Sequence, residues 1–127
     1  MKKFLFIACA TAILTLGSCV QKTHLRTVVF TLDVSGIPNI KTVGIRGWDS
    51  PLSWNKDFPM KEVVKDSLYE VTISGKTGRL YTEMKFSING QLEEKISGNR
   101  QIYFQRKDTT FYKAKFDIIT RKPKMPD

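Results

Sequence analysis

Residues 80–90 read LYTEMKFSING, and the alternation within them decides the fold class. Leu80, Thr82, Met84, Phe86 and Ile88 fall on one side of an extended chain, and Tyr81, Glu83, Lys85 and Ser87 on the other. Successive side chains of a strand point to opposite faces, so the first set is expected inward and the second outward. The run ends in Asn89-Gly90, the pair that most readily takes up the positive φ angles of a tight hairpin turn. A polar group follows, with Glu93, Glu94, Lys95, Asn99 and Arg100, before Ile102 and Phe104 resume the apolar pattern. That group is either solvated loop or the polar half of a binding site.

The same period of two recurs on both sides. Val28, Phe30, Leu32 and Val34 share a face in residues 27–34, Val43 and Ile45 form a weaker pair, and Tyr69, Val71 and Ile73 alternate in LYEVTI. Tyr112, Ala114, Phe116 and Ile118 close the series. Between them stand the turn-forming clusters SGIPN, DSPLSWN, SGKTG, SGN and RKD. No segment has a sustained helical period. About seven short strands without helical crossovers predict an all-β chain, an antiparallel β-sandwich of the immunoglobulin-like type. At 127 residues there is room for one such domain and not for two separate cores.

The first residues follow another plan. Lys2 and Lys3 precede the apolar run FLFIACATAILTL, the layout of a secretory signal peptide and too short for a membrane span. Leu16-Gly17-Ser18-Cys19 then resembles the lipobox of bacterial lipoproteins, in which the cysteine is lipidated and becomes the first mature residue. The resemblance implies a signal peptide over residues 1–18 and a lipid anchor on Cys19, holding the protein to a membrane of the bacterial cell envelope. Residues 19–25 read as anchor and spacer, 26–120 as the domain, and 121–127, with two prolines, as a tail outside the sheets. His24, isolated in the spacer, is read as neither metal ligand nor catalytic base.

Cysteine use follows from this layout. Cys9 leaves with the signal and Cys19 carries lipid, so no thiol nucleophile or disulfide is expected in the domain. The chain has 21 Lys and Arg against 12 Asp and Glu. Losing residues 1–18 takes away Lys2 and Lys3 and no acid, which leaves 19 bases and a formal charge of +7. Those bases are scattered through strands and turns, and an exported, tethered protein has little access to nucleic acid, so none is expected as a partner.

The least strand-like stretch is GWDSPLSWNKDFPM, residues 47–60, which gathers Trp48, Trp54 and Phe58. Rigid aromatic faces match the C–H faces of sugar rings, and neighbouring amides, carboxylates and ammonium groups can bind hydroxyls. The plainer reading folds these tryptophans back as a cap on the sandwich.

The order of features is similar to the starch-binding modules of carbohydrate-binding family 20 and to related glycogen-binding modules. The likeness lies in TVVFTLDV, Leu52-Ser53-Trp54-Asn55, Pro59-Met60, LYEVTI, Glu83-Met84-Lys85-Phe86 and Gly98-Asn99-Arg100, and spans residues 27–104. It implies a non-catalytic module for α-glucan chains, starch-like or glycogen-like. Trp54 takes the place of the first stacking platform, Lys85 of the ammonium donor, Asn99 of the amide, and Glu93 or Glu94 of the carboxylate. Where the family has its second stacking aromatic the chain has Gln91-Leu92, and Trp48 is the candidate to stand in. Tyr69 also matches a family aromatic, but its parity points it inward. Leu92 keeps open a second reading, a sandwich that has lost sugar binding and serves as a protein-interaction or structural module of the envelope. An enzyme is the least supported class: no set of nucleophile, base and orienter, no metal-ligand spacing and no phosphate loop is legible, and no cofactor is expected.

Overall fold

The computed structural model describes residues 22–106, 109–119 and 124–126. The signal-like segment, Cys19, Lys107-Asp108 and most of the tail lie outside the described residues. The described chain is all strand, turn and loop, and no helix in it is long and apolar enough to cross a membrane.

One sheet has the order β4-β5-β1-β9, from β1 (His24–Asp33), β4 (Lys61–Val64), β5 (Leu68–Thr77) and β9 (Thr109–Lys115). The other runs β3-β2-β6-β7, from β2 (Val43–Gly47), β3 (Phe58–Pro59), β6 (Tyr81–Ile88) and β7 (Gln91–Leu92), with β8 (Arg100–Tyr103) also paired to β6. Pairing is antiparallel except between β1 and β9, which run parallel, a departure from the wholly antiparallel expectation. β3, β4 and β7 carry no readable alternation, being two residues long or, in β4, exposed throughout.

The inward parity of the long strands holds. Val28, Phe30, Leu32 and Val34 are buried from the first sheet, and Ile45, Met84, Phe86, Ile88 and Ile102 from the second. The two sets meet in one cluster, where the Phe30 ring stands edge-on to Phe86 with centroids 6.2 Å apart and Phe86 stacks on Tyr112 at 6.4 Å. Full burial of each such ring stabilises the fold by about 1.5–3 kcal/mol. Among the described residues the cluster runs from Val28 to Phe116. Tyr69 packs against it as its parity predicts, its hydroxyl donating to Glu62 Oε2 at 3.0 Å.

Asn89 and Gly90 have φ of 53° and 78°, the two positive angles that a type I′ turn requires. The Asn89 carboxamide also holds the neighbouring loop: its Oδ1 accepts from the Lys41 and Thr42 amides at 2.7 and 3.1 Å, and its Nδ2 donates to the Asn39 carbonyl at 2.9 Å.

Three local expectations change. His24 and Leu25 are not spacer but the start of β1, with His24 opposite Thr77. SGKTG is not a turn, since β5 continues to Thr77; a Cβ at Gly75 would stand 2.4 Å from the Ser50 carbonyl oxygen, so this glycine marks a close backbone approach. Leu80 and Ile118 lie just beyond the ends of β6 and β9, and both are exposed.

Candidate functional site

The outward residues of β6 organise the outer face of the second sheet. Antiparallel pairing sets Tyr103 beside Tyr81 and Gln101 beside Glu83 on β8, while Arg46 of β2 lies beside Lys85. The loop leaving β2 is bound back to the strands of this sheet. The Trp48 amide donates to the Glu83 carbonyl at 3.1 Å, the Thr82 hydroxyl to Asp49 Oδ2 at 2.6 Å, and Arg46 Nε to Asp57 Oδ1 at 2.6 Å. A Cβ at Gly47 would lie 2.8 Å from the Glu83 carbonyl oxygen, so the loop can approach the strand this closely only with glycine there.

The result is an open cleft of about 740 Å³ with Trp48, Trp54, Tyr81 and Tyr103 in its walls, completed by Arg79, Leu80 and Met125. Tyr81 lies between two other rings, 5.4 Å from Tyr103 and 6.0 Å from Trp48. The Arg79 guanidinium sits 4.8 Å over the Trp48 ring, a cation–π contact. Two positions along the strands from the tyrosines, the Glu83 carboxylate accepts from Gln101 Nε2 at 3.0 Å and from Asn99 Nδ2 at 3.1 Å. Mutually tilted rings beside a half-exposed carboxylate and two amides form a surface suited to a ligand with flat apolar faces and a hydroxyl edge.

Of the residues singled out in the sequence, Trp48 (40% exposed) and the half-buried Trp54 come together in the cleft. Asn99 joins its polar margin through Glu83. Lys85 lies on the same outer face, but its ammonium is committed to the Glu93 carbonyl at 3.1 Å. Glu94 is exposed, and its amide, like that of Lys95, donates to Asp117 Oδ1. Leu92 is half-buried opposite Ser87, six positions or about 20 Å along β6 from Tyr81, and so stands apart from the aromatic cleft.

Glu93 is corrected outright, because its side chain is inside the molecule and not on the sugar-facing surface. Its carboxylate is paired with Arg100 at 2.5 Å, and accepts from the Phe86 and Asp117 amides at 3.0 Å each. Arg100 also donates to the Tyr112 hydroxyl and to the Lys115 and Ile118 carbonyls, and it lies over the Phe86 ring. Burial alone lowers the pKa of the guanidinium, but the Glu93 hydrogen bond and charge outweigh it and hold the value above normal.

Sequence reasoning misses Tyr103, Arg79 and the carboxylate of Glu83. Parity was the available signal for two of them: Tyr103 lies between inward Ile102 and Phe104, and Glu83 between inward Thr82 and Met84. Met125 had none. Among the described residues no three His, Cys, Asp or Glu side chains are grouped as a metal site requires. The chain matches no protein-family model and no curated protein.

Proposed function

We propose that this protein is a lipid-anchored, non-catalytic carbohydrate-binding module of the bacterial envelope, with an immunoglobulin-like β-sandwich similar to starch-binding modules and an α-glucan chain as its ligand. The observation that carries the reading is the cleft in which Trp48, Trp54, Tyr81 and Tyr103 stand beside the Glu83–Gln101–Asn99 strip. Ring faces stack on glucose units, while the carboxylate and amides exchange their mutual hydrogen bonds for sugar hydroxyls. Stacking is therefore moved from the Leu92 position to the other end of β6, where Tyr81 and Tyr103 supply the second platform. Titration with maltoheptaose, amylose or glycogen, followed by tryptophan fluorescence, is expected to give a saturable shift that Trp54→Ala abolishes. No saturable response at millimolar sugar overturns the reading.

One feature favours the competing protein-interaction role: of the family's polar set, Glu93 is consumed by Arg100, and Lys85 gives one of its three N–H donors to a backbone carbonyl. That role predicts a protein partner recovered from envelope extracts whose binding Trp54→Ala weakens and sugar does not displace.

A further inference from the structure

Exposed apolar side chains stand at both ends of the two sheets. β1 begins, β5 ends, β6 begins, β8 ends and β9 begins at one pole of the two sheets, where His24 faces Thr77 and Tyr81 faces Tyr103. The Arg26 guanidinium lies 5.4 Å over the Phe104 ring and joins the two sheets there. Leu25 and Leu80 (both 60% exposed) and Trp48 are at this pole, and Met125 lines the cleft beside Leu80. Phe111 (72% exposed) stands mid-sheet beside Val29, and the remaining large exposed apolar residues among those described, Val63, Val64, Ile118 and Ile119, belong to the other pole, where β4 and β9 end.

Charge is what separates the two ends. Lys22, Arg26, Lys76, Arg79 and Arg106 belong to the first pole, and its one described acid, Asp49, is held by the Thr82 hydroxyl. The outer face of the first sheet next to it carries Leu25, Val29 and Phe111 among Thr27, Ser74, Thr72 and Thr109, with no acid until Glu70.

We infer that this pole docks onto an anionic lipid surface. The orientation rests on the proposed anchor at Cys19, whereas the surface chemistry does not. Five residue steps separate Cys19 from His24, a reach of at most about 18 Å, so an anchored chain holds this pole, and not the other, against the headgroups. Exposed Leu and Trp side chains partition into the interface, and each cation close to an anionic surface strengthens binding about five-fold. In the docked pose the Trp48 side of the cleft lies at headgroup level. The Glu83, Gln101 and Asn99 strip, farther along β6 and β8, leads away from the bilayer, so the cleft opens beside the membrane.

The test uses two forms: the mature acylated chain, and a chain from residue 20 onward, which retains every core residue named above. The unanchored form is expected to bind phosphatidylglycerol-rich vesicles in a salt-sensitive way, and phosphatidylcholine vesicles far less. Replacing Lys76, Arg79 and Arg106 together by Gln is expected to lower the partition about a hundred-fold. Leu25→Ser with Leu80→Ser lowers it again, and Val63→Ser with Val64→Ser leaves it unchanged. In the acylated chain, a fluorophore on Leu25→Cys is expected to be quenched by brominated lipid and one on Val64→Cys to be spared. Equal quenching at the two positions, or vesicle binding that ignores the Gln and Ser variants of this pole, overturns the docking. Mass analysis of residue 19 reads the anchor separately: an unacylated chain that still binds through this pole removes the anchor and leaves the docking standing.

Discussion

Two carboxylates, ten residues apart in sequence, are held by near neighbours on β8 and its approach, and they end in opposite environments. Glu93 meets Arg100 inside the core, and Glu83 meets Asn99 and Gln101 on the outer face. The alternation of a strand separates them, for Arg100 is registered with inward Met84 and Gln101 with outward Glu83. Inside, each carboxylate oxygen is taken by a guanidinium or an amide, as a desolvated charge requires. Outside, the same group holds two side-chain amides that water or a ligand can replace. One arrangement stabilises the fold and the other is available for recognition.

The largest effect should come from breaking the inner pair. Arg100→Ala or Glu93→Ala leaves an uncompensated charge in the core and is expected to cost about 3–5 kcal/mol, read as a fall in the urea midpoint. A double replacement, Glu93→Leu with Arg100→Met, removes both charges and is expected to lose less than either single change, because the desolvation cost disappears with the pair. A double variant as unstable as the singles would show that the hydrogen bonds from Arg100 to the Lys115 and Ile118 carbonyls matter more than the ion pair.

Glu83→Ala should behave in the opposite way. Its partners are half-buried or exposed, so unfolding stability is expected to change by less than about 1 kcal/mol. On the proposed reading, glucan affinity falls about ten-fold, the loss of one charged hydrogen-bonding group. Stability loss with unchanged sugar binding would reverse the assignment of the two carboxylates.

The comparison also explains what the sequence made legible. Residues 80–90 declared both their strand and their turn, since period-two alternation and Asn-Gly are local properties, and Met84, Phe86 and the positive φ at residues 89 and 90 agree with them. Leu80 misled because the strand begins one residue later, and a parity argument fails outside the strand that supports it. Glu93 was illegible for a related reason: it follows a two-residue strand and enters a segment with no regular period, so its inward turn depends on Arg100 and the Phe86 amide. The aromatic cleft was half legible. The two tryptophans were conspicuous in a loop, but their meeting with Tyr81 and Tyr103 depends on the β6–β8 register, which no local pattern specifies.

The smallest effect belongs to a third carboxylate, which extends the contrast into acid. Asp33 ends β1, and hydrogen bonds from Ser35 hold its pKa below the ordinary carboxyl value, with a minor contribution from the charge of Lys115. A depressed folded-state pKa means that the ionised form favours the native chain. The contribution is present above the unfolded-state value near 4 and is lost as the pH falls through the lower folded-state value. Asp33→Asn is therefore expected to flatten slightly the acid limb of a stability-against-pH curve and to leave the neutral region almost unchanged. An Asn variant whose loss is the same at every pH would mean that Asp33 acts through the shape of the Ser35 turn and not through its charge.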